Sequence, residues 1–316
     1  MPSPTMLYRA PCLLLAAAGL LTGCADPIAV TSESAAHTEV QTRYPAADRV
    51  LALGDVHGDL AAMREALQIG GVIDESDHWI GGETVVVQTG DLLDRGDDEQ
   101  AIIDTLERLR AEANAAGGAV HVVQGNHELM NIDLDFRYVT PGGFADFEDA
   151  PCVDPQAPAV AGFQPHERAR ASAFMPGGSY AVKLARNPVV VVVGDTVFTH
   201  GGVLPGDADD VEQINHDVAE WLLGNDDDGR RVIEDGDSPV WSRHYCDDPS
   251  WSDCRKLERA LAELGASRMV LGHSTHSTIT SECEDRVYCI DTGMAAHYGG
   301  TTEVLELTAA GATVLY

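Results

Sequence analysis

The chain has 316 residues, 44% of them hydrophobic, and a mean hydropathy of −0.10. That is ample material for a large core and excludes a chain disordered throughout. With 51 acidic against 20 basic residues the formal net charge is −31, so the surface repels polyanions and nucleic acid is excluded as a partner class.

Residues 1–23 carry one cation, Arg9, then an apolar run over 11–21 that ends in Leu21-Thr22-Gly23-Cys24. This is the order of a secretory signal, and the run falls short of the ~20 residues a spanning helix needs. The small residues before Cys24 resemble the lipobox of bacterial lipoproteins. That resemblance implies cleavage before Cys24, lipidation of this cysteine, and attachment to the bacterial cell envelope, facing the periplasm or the cell surface, with membrane contact through the N-terminal lipid only. Residues 24–47, rich in Ala, Ser, Thr and Pro without a helical or strand period, read as a flexible tether. A folded domain is expected over 48–316.

In that domain short apolar strands alternate with helical segments, the pattern of an α/β fold. A strand over 49–53 leads to a helix on which Leu60, Met63 and Leu67 share one face, with Asp59 as its cap. The second strand, 84–88, precedes a helix carrying Ile102, Ile103, Leu106 and Leu109, which Gly117-Gly118 closes before a third strand over 119–123. Right-handed crossovers make these three strands parallel. Further strands are expected over 189–193, 196–199, 268–271, 286–290, 303–307 and 312–316, with a helix through Leu257, Ala260, Leu261 and Leu264 ended by Gly265. Two stretches, about 132–185 and 203–254, are rich in Pro, Gly and Asp and read as insertions that shape the site. His121, in mid-strand, reads as structural, and Asp195 as part of a hairpin turn.

Beyond Cys24 five cysteines remain, Cys152, Cys246, Cys254, Cys283 and Cys289, and an exported chain meets conditions in which disulfides persist. Sequence proximity pairs Cys246 with Cys254 and Cys283 with Cys289, although spacing alone does not fix connectivity. No C-x-x-C is present, which disfavours a cysteine zinc site.

Each of the first three strands runs into a polar cluster: Gly54-Asp55-Val56-His57-Gly58, Gly90-Asp91-Leu92-Leu93-Asp94-Arg95-Gly96, and Gly125-Asn126-His127-Glu128. In open α/β sheets ligands bind at this carboxyl edge. His200, in Thr199-His200-Gly201-Gly202, and His273, in Leu271-Gly272-His273-Ser274, also follow strands. Asp55, His57, Asp91, Asn126, His200 and His273 form a mixed oxygen and nitrogen donor set that suits Mn, Fe or Zn more than Ca or Mg. One carboxylate can hold two ions ~3.5 to 4 Å apart, and Asp91, central in the order, is the candidate bridge. Two divalent ions outweigh Asp55 and Asp91, and Arg95 adds a further positive charge. The result is a local anion trap, protected from the distant acidic surface by screening over ~8 Å.

These motifs together resemble the calcineurin-like metallophosphoesterases, in particular the phosphoprotein phosphatase branch. Ser238-Pro239-Val240-Trp241-Ser242-Arg243, Ile290-Asp291-Thr292-Gly293-Met294 and Tyr298-Gly299-Gly300 are similar to the Shewanella-like phosphatases within it. The resemblance implies a four-layer αββα sandwich with two central mixed β-sheets, and two divalent ions with Mn foremost and Fe or Zn as alternatives. One ion would sit on Asp55, His57 and Asp91, the other on Asp91, Asn126, His200 and His273. It further implies that His127, oriented by Asp94, protonates the leaving oxygen while Arg95 and Arg243 hold the phosphoryl group, and that a metal-bound hydroxide attacks phosphorus in line. His276 is an alternative register for His273. The expected substrate is a phosphorylated protein or a small phosphate ester. A phosphodiesterase or dinucleoside polyphosphate hydrolase of the same fold, and a non-catalytic surface-binding lipoprotein, are the alternatives.

Overall fold

The computed structural model describes residues 40–316. The signal sequence, Cys24 and residues 24–39 of the expected tether lie outside the described residues. In chain order the elements are β1 (Arg43–Tyr44), β2 (Arg49–Leu53), α1 (Leu60–Ile69), β3 (Val85–Gln88), α2 (Glu99–Ala116), β4 (Ala119–Val122) and α3 (Asn126–Ile132). After them come α4 (Pro141–Ala145), α5 (Arg168–Phe174), α6 (Ser179–Leu184), β5 (Val190–Val193), β6 (Thr196–Thr199), α7 (Val211–Leu223) and α8 (Arg231–Glu234). The chain closes with α9 (Trp251–Leu264), β7 (Arg268–Leu271), β8 (Thr280–Glu282), β9 (Val287–Cys289), β10 (Val304–Thr308) and β11 (Gly311–Leu315).

Two mixed sheets result. One has the order β11-β10-β2-β3-β4, the other β1-β5-β6-β7-β9-β8. Strands β2, β3 and β4 are mutually parallel, and β10 joins β2 antiparallel. The period-2 alternation of each strand separates two cores. Ala52, Val87, Val191, Phe198, Val270 and Leu305 pack sheet against sheet, whereas Leu51, Leu53, Val86, Val190, Val197 and Leu271 belong to a second core that also holds the apolar faces of α1, α2, α7 and α9. This is a helix-sheet-sheet-helix layering. Helix α1 is capped by Asp59, whose carboxylate accepts from the Ala62 amide, and Gly117 and Gly265 end α2 and α9 in the left-handed conformation.

Two sequence expectations need correction, and one strand was not foreseen. The tether was expected to reach residue 47, but Arg43–Tyr44 pairs in parallel with β5 and Thr42 is buried. The stretch from residue 42 is therefore held by the sheet. The nearest-neighbour cysteine pairing is also wrong: among the described residues Cys246 bonds to Cys289 and Cys254 to Cys283. The β8–β9 hairpin carries one partner of each, and α9 with the loop before it carries the other two. Strand β8, too polar to read as a strand, completes that hairpin. Asp195 does lie in the β5–β6 hairpin turn, and His121 stacks on Tyr44 at 4.0 Å between ring centroids.

Candidate active site

The carboxyl ends of β2, β3 and β4 deliver Asp55, His57, Asp91, Asn126 and His127, and those of β6, β7 and β9 deliver His200, His273 and Asp291. The two sheet edges meet over a cavity of about 110 Å³ lined by Asp55, Asp91, His127 and His273, with Arg95 and Arg243 at its rim. Tight turns make the approach possible, and His57, Asp91, Asp94, Arg95 and His273 all adopt positive φ, a costly backbone state characteristic of functional sites. A Cβ at Gly125 would collide with Asp91 Oδ1 and one at Gly272 with Asp55 Oδ1, so these glycines are required by close approach.

Ligand atoms of His57, Asp91 and His127 lie within 4.8 Å of one another, and so do those of Asp91, His200 and His273. Asp91 is common to both groups. Its Oδ2 is 3.6 Å from His57 Nε2, 3.2 Å from His200 Nε2 and 3.8 Å from His127 Nε2. Asp55 Oδ2 is 3.9 Å from His57 Nε2 and its Oδ1 is 3.9 Å from His200 Nδ1, while Asn126 Oδ1 is 2.8 Å from His200 Nε2. All six residues expected as metal ligands are thus gathered, and His273 rather than His276 stands in the group.

The donor set fits metal ions on the chemistry of its surroundings. His57 Nδ1 faces the Leu93 carbonyl at 3.0 Å and His200 Nδ1 faces the Thr89 carbonyl at 2.8 Å. Carbonyls only accept, so the protons sit on Nδ1 and both Nε2 atoms point to Asp91, the orientation that ligating histidines require. His273 Nε2 is buried with no hydrogen-bond partner among the described residues. Burial, with His200 and Arg243 nearby, pushes His273 down to about 2, and burial with His127 and Arg95 pushes His57 down to about 4, leaving neutral rings with free lone pairs. Burial, Asp291 and Asp91 drive the Asp55 carboxyl well above its ordinary range. A cation relieves each of these conditions.

Burial opposes a charge on His200, but Asp91 and Asp55 outweigh it and raise His200 to about 10. Without metal, His200 therefore keeps a proton at neutral pH that a bound ion must displace. The apparent metal affinity is expected to rise with pH, by about tenfold per unit for each displaced proton. Calorimetric titration of Mn²⁺ in buffers of differing ionisation enthalpy measures the protons released, and an affinity independent of pH between 6 and 8 would contradict this arrangement.

His127 Nδ1 lies 2.5 Å from Asp94 Oδ2. Burial works against a charge on His127, yet Asp91 and Asp94 prevail and raise its pKa, which favours the protonated ring. Asp94 is itself fixed from α3 and α5. Asn131 Nδ2 donates to its Oδ1 at 3.0 Å and the fully buried Arg170 donates to the same oxygen at 3.2 Å. Arg170 also pairs with Glu99 and donates to Asn131 Oδ1 at 2.7 Å. Glu128 accepts from the amides of Asp91, Leu92, Leu93 and Gly125 at 2.7–3.1 Å, locking the second polar cluster to the third.

Arg95 is clasped between Tyr138 and Tyr298, its guanidinium carbon 4.6 and 5.2 Å from the ring centroids. Its Nε is buried with no hydrogen-bond partner among the described residues, and His297 Nε2 is 3.3 Å from its Nη1. Arg243 Nη1 donates to the His273 carbonyl at 3.2 Å and to Ser274 Oγ at 3.1 Å, which directs it to the cavity. Sequence reasoning missed Asp291, Asn131 and Arg170. Asp291 lay inside a quoted motif, but it is geometry that places it on the cavity wall, accepting from Thr275 Oγ1 at 2.6 Å and the Gly293 amide at 2.9 Å.

Two mixed sheets that pool carboxylates, imidazoles and a guanidinium pair at one edge define a metal-dependent phosphatase. The model of the calcineurin-like phosphoesterases matches residues 48–277, and the chain belongs to that family. It is 39% identical over 302 residues to Shewanella-like protein phosphatase 2 of Arabidopsis thaliana, covering 85% of this chain and 77% of that one. It is 30% identical over 270 residues to Shewanella-like protein phosphatase 1 of Plasmodium berghei, covering 79% and 69%. Among solved structures, a cold-active protein-tyrosine phosphatase of a psychrophilic Shewanella species shares the fold, with a TM-score of 0.71, 21% identity, and 90% of this chain and 86% of that one covered.

Proposed function

We propose that the protein is a dinuclear-metal phosphomonoesterase acting on phosphoproteins. The observation that carries the reading is the single carboxylate oxygen of Asp91 facing His57, His200 and His127 at 3.2–3.8 Å, a position that suits a bridge between two donor groups. Asp55, His57 and Asp91 would hold one ion, and Asp91, Asn126, His200 and His273 the other, with Mn²⁺ the first choice for such oxygen and nitrogen donors and Fe or Zn the alternatives. Bound ions would polarise the phosphoryl group and make the attacking water available at neutral pH. Arg95 and Arg243 orient the phosphoryl oxygens through forked hydrogen bonds. The Tyr138–Tyr298 clasp holds the Arg95 guanidinium in place before substrate arrives, which lowers the entropy lost on binding. His127 delivers the Nε2 proton to the leaving oxygen, and Asp94, held by Asn131 and Arg170, keeps the ring in register.

A larger cleft of about 530 Å³ opens beyond Arg95, bounded by Gly96, Thr140, Pro141 and His297. It gives room for a few residues flanking a phosphorylated side chain, and the relatives named protein phosphatases favour the same substrate class. Residues 1–24 are assigned to export and lipid anchoring at the bacterial cell envelope, on the strength of their sequence alone. The test is hydrolysis by metal-stripped chain reloaded with Mn²⁺, Fe²⁺, Zn²⁺ or Mg²⁺. Metal-dependent turnover of p-nitrophenyl phosphate at least about 100-fold above that of bis-p-nitrophenyl phosphate is expected, since two arginines complement the charge of a terminal phosphate. Equal or greater diester turnover would instead establish a phosphodiesterase.

A further inference from the structure

A second group of metal-ligating side chains lies outside the catalytic cavity. Cys246 sits in the loop before α9, Cys289 is the last residue of β9, and His276 lies in the loop after β7. One ligand atom from each falls within 4.8 Å of the other two. Cys246 and Cys289 are buried, and His276 Nε2 is shielded from solvent with no hydrogen-bond partner among the described residues. A buried ring nitrogen left unpaired is costly. The His276 backbone is fixed, its amide donating to the Asp291 carbonyl at 2.8 Å.

We infer that Cys246, His276 and Cys289 form a second metal site, which takes a thiophilic divalent cation such as Zn²⁺ when the Cys246–Cys289 bond is reduced. Two thiolates and an imidazole are a donor set that selects Zn over Mg or Ca, and they leave a fourth tetrahedral position for water. Sulfurs sharing one Zn²⁺ stand about 3.8 Å apart. The Cα atoms of the pair are 5.8 Å apart, so side-chain rotation supplies that separation without moving the backbone. In the exchange a dithiol reductant gives up two electrons and two protons, closing its own ring disulfide while Cys246 and Cys289 become thiols. Zn²⁺ then takes both thiolates and releases two protons.

The site goes beyond the phosphatase reading and does not depend on it. Its ligands are three residues after Arg243, three after His273 and two before Asp291. The covalent bond thus ties two of the segments that line the cavity from the second sheet, whereas a bound metal would tie all three.

Co²⁺ serves as the probe. The full chain, oxidised or reduced with a dithiol and then freed of it, is titrated with Co²⁺ and followed by absorption. The reduced chain is expected to take up one more equivalent than the oxidised chain and to develop sulfur-to-cobalt charge-transfer absorption that Zn²⁺ abolishes. The oxygen and nitrogen donors of the catalytic centre produce no such band, so failure here and failure of the phosphatase reading are separately visible. His276→Ala retains the disulfide, which allows its oxidised fold to be verified first. Once reduced, it should bind this Co²⁺ at least about tenfold more weakly. The proposal is overturned if the band survives in Cys246→Ser/Cys289→Ser, if His276→Ala binds as tightly as wild type, if the freed thiols alkylate without metal uptake, or if the folded chain resists reduction.

Discussion

Replacing His127 with Asn is expected to lower kcat for alkyl phosphate monoesters by about 10²- to 10⁴-fold, while p-nitrophenyl phosphate loses far less. Nitrophenolate departs without a proton, whereas an alkoxide does not, so the loss of a general acid is felt in proportion to the basicity of the leaving oxygen. The proposed acid has Asp94 on Nδ1, with Asn131 and Arg170 behind Asp94. Measuring kcat on both esters, with metal content determined for each preparation, decides the role. His127 also stands within ligand distance of His57 and Asp91. An equal loss on both esters, accompanied by lost metal, would place it among the ligands instead.

Asp91→Asn should do more damage than any other single substitution at the centre. One oxygen serves both donor groups, so neutralising it weakens both positions at once. On the dinuclear reading proposed above, metal content is expected to fall from two ions to one or none per chain, and turnover by more than about 10³-fold. The backbone should tolerate the change, because Asp91 has φ of 56° and Asn is among the few residues that adopt the left-handed region readily. Elemental analysis of the dialysed variant beside its turnover is the check, and retention of two ions with normal activity would remove Asp91 from its bridging position.

Much of the frame was legible because buried parallel strands read as apolar runs. Residues 49–53, 84–88 and 119–123 each led directly into a polar cluster at the sheet edge, so Asp55, His57, Asp91 and Asn126, which the structure gathers, stood out as candidate donors from their order in the chain. What escaped has physical causes. Strand β1 is two residues long and joins the sheet through backbone hydrogen bonds to β5, which no side-chain pattern reports. Arg170 lies in an alanine-rich insertion helix, and only tertiary packing turns a cation expected on the surface into a fully buried partner of Asp94 and Glu99. The disulfides defeated proximity because β9 runs beside β7, bringing Cys289 to Cys246 across 43 residues.

The pairing of β10 with β2 also bears on the making of the protein. Asp55, Asp91, Asn126 and His127 leave the ribosome early, but His200 follows only with β6 and His273 only with β7. The sheet that carries the first four is itself completed by β10 and β11, which follow much later in the chain. Contacts of such long sequence separation form late. The first donors are therefore present in the growing chain well before the cavity around them is sealed, and the site as a whole waits on strands that lie far along the sequence.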